Sequence, residues 1–368
     1  MQSRILAGDG GNRRWSAARA RQDQSGDTYP LFLDTPRQLA YPVGHYYTIT
    51  RQAVAQPQGQ GLPCPMWASR PGRSKQRPYA AGRDKRATVS NVDRLLEGAV
   101  DIHVHFGPDP KVTRRSNAIA VAQQAKDMGM GGLVLKSHEY STVPVAYTVS
   151  QVVPGISLLG GVALDVEVGG LNPHAVECTA KMGGRVVWMP TFSAQADRQR
   201  KGFNDGISLL DAQGRLMPQV YSILELVKAH DMVLATGHIS PQESLALVRE
   251  ARNQGIGRVV VTHGTTSAFW TGMTLDQMKA LADLGAFVEH CIHVMMPLTY
   301  RLKPRELVDA INYIGPERCI LSTDFGQDYH PMPAEGMRMG IATLLQAGLP
   351  EVEVGLLVKD NPARLLGL

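Results

Sequence analysis

Only four cysteines (Cys64, Cys178, Cys291 and Cys319) are spread over 368 residues, with no CxxC pair and no dense, even spacing. That pattern suggests neither a disulfide framework nor a cysteine zinc site, and it fits a reducing, cytoplasmic setting. No apolar run approaches the ~20 residues a membrane span needs, and no apolar core of a secretory signal stands at the N-terminus. Phosphate loops of the GxxxxGK[ST] type and GxSxG nucleophile elbows are absent, and the Gly pairs lack dinucleotide-fingerprint spacing. Residues 1–90 contain no glutamate at all.

That last absence explains the formal charge of +5. Residues 1–90 carry 14 Lys+Arg against 5 Asp, whereas residues 91–368 carry 24 Lys+Arg against 28 Asp+Glu. The basic excess therefore belongs to the first quarter of the chain, where Arg pairs, Gln runs and scattered Pro and Gly carry no sustained period. We read residues 1–90 as a disordered basic extension. A nucleic-acid arm is the competing reading, but the aromatic residues there are not interleaved with the basic ones.

From Val92 short β-branched runs alternate with amphipathic stretches. Strands are predicted at 99–105, 132–136, 157–164, 185–190, 232–238, 258–263, 286–291 and 319–324. Helices are predicted at 117–128, 173–182, 218–230, 241–254, 274–284, 304–314 and 333–346, several opening on Pro or a Thr cap. Runs such as Val259-Val260-Val261 suit parallel strands covered on both faces. Eight βα units in residues 91–368 match a (β/α)8 TIM barrel, with a doubly wound open sheet as runner-up.

Metal-ligating residue types fall at strand ends. The first strand ends Asp101-Ile102-His103-Val104-His105, so two imidazoles share one side of an extended segment. The fifth ends at His238, the sixth at His263 and the eighth at Asp324. A barrel focuses these ends on one mouth, giving an N/O-rich site suited to Zn2+, with Mn2+, Fe2+ or Ni2+ as alternatives.

In this order of motifs the chain resembles the amidohydrolase superfamily of metal-dependent hydrolases, over residues 92–368. The resemblance implies one or two divalent ions: His103 and His105 on one, His238 and His263 on a second or completing the first, and Asp324 binding metal and shuttling a proton. It also implies a metal-activated hydroxide that cleaves an amide, lactam, imide or ester bond. The departure lies on strand four, which ends Val187-Trp188-Met189-Pro190 without the Lys or Glu that often bridges two metals. Lys136 on strand two is the replacement, as a carboxylated bridge or as a cation that anchors substrate, and Glu167 is a weaker bridge. The missing Lys also keeps a metal-dependent decarboxylase of an aromatic or conjugated acid in view.

His290, ending strand seven, is a further catalytic candidate. His138, Tyr140, His293, Asp328 and His330 are candidate substrate contacts. The connection 191–217, with a hairpin turning near Gly214, reads as a lid. Its Arg198, Arg200 and Lys201, with Arg114 and Arg115, hint at a carboxylate-bearing substrate. The expected partner is a small molecule, with neither nucleic acid nor membrane involved, and a homo-oligomer is compatible with the sequence.

Overall fold

A computed structural model describes residues 85–265, 272–299 and 302–368. The basic extension read from composition lies outside the described residues up to position 84. Helix α1 (Lys85–Leu96) already begins within its last six positions.

Eight strands follow in chain order: β1 (Val100–Val104), β2 (Gly132–Leu135), β3 (Ser157–Ala163), β4 (Val186–Trp188), β5 (Val233–Ala235), β6 (Val259–Val261), β7 (Phe287–Cys291) and β8 (Cys319–Ser322). Each pairs in parallel with the next, in the order β1-β2-β3-β4-β5-β6-β7-β8. The circle closes just past β8, where Asp324 N–H donates to the His103 carbonyl at 3.0 Å and His105 N–H to the Phe325 carbonyl at 2.8 Å. This is the (β/α)8 barrel and not the open sheet.

The outer layer holds α2 (Ala118–Asp127), α3 (Val143–Val152), α4 (Pro173–Lys181), α6 (Pro218–Ala229), α7 (Pro241–Asn253), α8 (Leu275–Asp283), α9 (Pro304–Ile314), α10 (Pro333–Ala347) and α11 (Glu351–Gly355), while α5 (Gln195–Arg200) lies in the connection after β4 and α12 (Asn361–Leu366) ends the chain. Local chemistry sets their starts. Asn117 and Asn172 accept N-terminal backbone N–H groups, and Ser240 with Glu243 and Thr274 with Gln277 form capping boxes. Helix α3 escapes the sequence reading because its Val-Pro-Val-Ala-Tyr-Thr-Val run is rich in β-branched residues, which favour strands. Burial of Val143, Ala146 and Val149 overrides that preference.

Two apolar layers result. One fills the space between strands and helices. The other fills the barrel interior, where Val100, Ile102, Trp188, Val260, Phe287 and Ile320 pack together and α12 inserts Leu365 and Leu366. At 25 cal/mol per Å2 this burial is the main drive to close the barrel.

One irregularity positions the site. Register slips between Asp101 and Val104, so β1 carries one residue more than β2. Strict alternation would put Val100 and Ile102 on one face and His103 and His105 on the other. The bulge brings all four inside, apolar below and imidazole above.

Gly237, just before His238, has φ +64°, and a Cβ there would lie 2.2 Å from the Met189 carbonyl oxygen. We predict that Gly237→Ala destabilises the fold by more than about 1 kcal/mol, lowering the melting temperature by at least about 2 °C in a calorimetric scan.

Candidate metal centre

All the imidazoles expected to ligate converge at the C-terminal mouth. His103 Nε2 and His105 Nε2 each lie 3.2 Å from Asp324 Oδ1, and His263 Nδ1 lies 3.9 Å from Asp324 Oδ2. Ring centroids of His103 and His263, and of His263 and His238, are 5.0 Å apart. Every one of these side chains is buried. Backbone geometry contributes, since His263 and Asp324 are non-glycine residues at φ +56°. Such left-handed positions cost on the order of 1–3 kcal/mol and persist where surrounding structure enforces them, often at functional sites. Asp101 helps to enforce the second, because its carboxylate accepts the Thr323 hydroxyl at 2.5 Å and the Thr323 and His103 N–H groups at 3.1 and 3.2 Å.

Lys136 joins the same cluster. Its Nζ is 3.0 Å from His103 Nε2 and 5.4 Å from the centroid of Trp188. Burial lowers its pKa, opposed by the charges of Asp324 and Glu289. Burial by itself would raise the pKa of Asp324, yet His103, His263 and a hydrogen bond from His105 hold it well below the usual carboxylate range. Burial lowers the pKa of His263 to about 3, and those of His105 and His238 well below 6.5, so these three imidazoles stay neutral.

The donor set fits a divalent ion. His103, His105 and Asp324 offer atoms within 4.8 Å of one another, with His263 alongside. Neutral imidazole and an ionised carboxylate are the forms that ligate, and an N/O set suits zinc and its neighbours. Arg114 Nη2 stands 3.3 Å from His105 Nδ1 and can only donate, so ligation through Nε2 would require that contact to loosen.

Glu289 was missed by the sequence reading. It alternates inward with Phe287 and Cys291, accepts the Ser322 hydroxyl at 2.6 Å and the His263 N–H at 3.1 Å, and lies 3.0 Å from His103 Nδ1. Burial would raise its pKa, but His103, His263 and Ser322 bring it to about 2. The contact with this carboxylate holds the His103 ring so that its Nε2 faces Asp324 and Lys136. A carboxylate inside an apolar strand is costly unless paired, and that was the available signal.

His290, the neighbour of Glu289 on β7, has its Nδ1 3.4 Å from Thr265 Oγ1. Of the cations expected to meet a substrate carboxylate, Arg198 pairs with Asp205 and Lys201 with Asp197 on the long connection, while Arg114, after β1, pairs with Asp109 at 2.6 Å and lines the cavity. Glu167 pairs with Lys111 instead of bridging the cluster. His138 does belong, stacking on His105 at 5.0 Å, and His293 meets His330 at 2.9 Å. A cavity of about 120 Å3 opens over the cluster, lined by His105, His138, His238, His263, Asp324 and Arg114 among others.

A family model described as "Family of unknown function (DUF6282)" matches residues 98–289, just over half of the chain. The chain belongs to this family. The matched segment of DUF6282 contains His103, His105, Lys136, His238, His263 and Glu289, with Asp324 beyond it. No curated protein matches. Among solved structures, the probable dipeptidase PvdM from Pseudomonas aeruginosa aligns with TM-score 0.59 at 13% identity, covering 77% of this chain and 98% of that one. An amidohydrolase from Pseudomonas aeruginosa aligns with TM-score 0.55 at 12% identity, covering 76% and 98%. At such identities the likeness establishes the fold alone, the (β/α)8 barrel expected from the sequence.

Two outcomes are predicted. Glu289→Gln weakens zinc binding about 10- to 100-fold in a chelator competition, because His103 loses its orienting carboxylate. Chelator-treated protein loses stability as pH falls from 6.5 toward 4. There the unfolded chain takes up protons that His263 (about 3), His138 and His290 (each about 4) do not accept when folded. Each ring contributes a slope of about 1.4 kcal/mol per pH unit. Asp101, raised to about 7 by burial, opposes with one proton. The histidines outnumber it, and urea melts across pH measure the balance.

Proposed function

We propose that this DUF6282 barrel is a metal-dependent hydrolase of an amide, lactam, imide or ester bond in a small substrate. The observation that carries the reading is the meeting of His103 Nε2 and His105 Nε2 on one Asp324 oxygen, buried beneath an open cavity at the barrel mouth. His103, His105, His263 and Asp324 would hold the ion, zinc by preference, with His238 and Lys136 beside them for a second. A divalent ion bound there would supply a coordinated water whose pKa falls from 15.7 to about 7, and would polarise a carbonyl.

The chain's own residues supply the rest. Asp324, kept ionised, accepts a proton from the attacking water and returns it to the leaving nitrogen or oxygen, so it acts as base and then as acid. The Lys136 amine, dry and depressed in pKa, would either add CO2 to form a carbamate, releasing one proton to solvent, and so offer carboxylate oxygens to a metal, or stay as a cation beside the substrate carbonyl. The connection over the mouth limits water access, and the cavity volume of about 120 Å3 restricts the substrate to a small molecule. Neither nucleic acid nor membrane enters this reading, and among the described residues no helix is long and apolar enough to cross a membrane.

The test is a panel of amides, lactams, cyclic imides, esters and aromatic acids, assayed with and without chelator. We expect chelator-sensitive hydrolysis, and Asp324→Asn should reduce it by about 100- to 10,000-fold with folding intact. Hydrolysis that is indifferent to chelator, or a fully active Asp324→Asn, would refute the assignment. Chelator-sensitive release of CO2 from an aromatic acid, with no hydrolysis, would assign the decarboxylase reading instead.

A further inference from the structure

The connection between β4 and α6 does more than cover the mouth. At its root Asp165, buried just after β3, accepts the Thr191 and Ser193 N–H groups with Oδ1, both at 2.8 Å, and the Thr191 hydroxyl with Oδ2. Thr191 has one hydroxyl proton, and Asp165 takes it. The 2.6 Å contact between Thr191 Oγ1 and His138 Nδ1 is then a bond that His138 donates. His138 is consequently the Nδ1–H tautomer, with its lone pair on Nε2. Phe192 of the same connection stacks on this ring at 3.9 Å and 20°, holding its plane where the ring lines the cavity.

Farther along, α5 carries Asp197 into the interior. This carboxylate is buried, and its Oδ2 accepts from Lys201 Nζ at 2.7 Å. Its Oδ1 has no donor among the described residues and lies 4.0 Å from His238 Nδ1. The edge of Phe192 meets the His238 ring at 5.8 Å.

We propose that this connection is a positioning lid, in which Thr191 backed by Asp165 fixes His138, and Asp197 fixes His238, each as the Nδ1–H tautomer that presents Nε2 to the cavity. Thr191, Asp165 and Asp197 are thus positioning residues. His138 becomes a fixed acceptor for an N–H or O–H of the bound molecule, and His238 becomes a preset nitrogen donor. The inference deepens the metal reading of the mouth and rests on it for the role of His238.

The two can fail separately. In metal-free full-length protein, long-range 15N–1H spectra assigned with His138→Gln and His238→Gln should show both rings protonated on Nδ1. Thr191→Val should move His138 toward the Nε2–H form and leave His238 unchanged, Thr191→Ser should restore His138, and Asp197→Leu should move His238 alone. An Nε2–H ring at either position in the wild type, or tautomers indifferent to these substitutions, would overturn the proposal. With zinc alone as probe, Asp197→Asn should weaken binding about 10- to 100-fold, and wild-type affinity in that variant would overturn the role of Asp197. If the wild type binds no zinc, the metal reading fails and the tautomer spectra alone decide the lid.

Discussion

Everything at the mouth depends on one constraint: Asp324 is ionised although it is buried. A lone carboxylate in such a place would neutralise itself by taking a proton. It stays charged because His103, His105 and His263 surround it with imidazole nitrogens and Lys136 adds an amine at 3.0 Å from His103. Each of these partners is itself desolvated, so each needs a further partner. Glu289 serves His103, Ser322 serves Glu289, and Arg114 faces His105. The result is a closed polar cluster in which removing one member leaves another buried and unmatched, which is costlier than never having built the pair.

The barrel exists to make that arrangement affordable. Apolar side chains fill the interior up to the level of Trp188 and Ile102, and the bulge in β1 then turns His103 and His105 onto the same inner face. Left-handed backbone at His263 and Asp324 aims both side chains inward where a regular strand end would not. Asp101 and Asp165 lie behind this level. Each uses its carboxylate to pin a strand-end loop, Asp101 the turn after β8 and Asp165 the turn after β4. Mechanical support and chemistry are therefore carried by different carboxylates.

Much of this was legible in the sequence. Eight β-branched runs and their spacing mark the barrel, and each of the eight strands falls within its expected segment. The histidines at 103, 105, 238 and 263, with Asp324, meet because a parallel barrel gathers strand C-termini at one mouth. Three things were not legible. Helix α3 looks like a strand because its β-branched content speaks for local preference while tertiary burial decides. Glu289 precedes His290 by one position; the His drew attention, while the Glu in an apolar run carried the stronger physical signal. Basic residues of the long connection and of the segment after β1 suggested an anion site, but charge counts do not reveal that Arg198, Lys201 and Arg114 pair with Asp205, Asp197 and Asp109.

The account stands most directly on metal occupancy. Elemental analysis of the purified full-length protein, followed by zinc titration of the chelator-treated form, measures it. One or two divalent ions per chain, with one lost in His103→Ala while the protein remains folded, is the predicted result. A folded wild-type protein that retains no metal and takes up none on titration would contradict it.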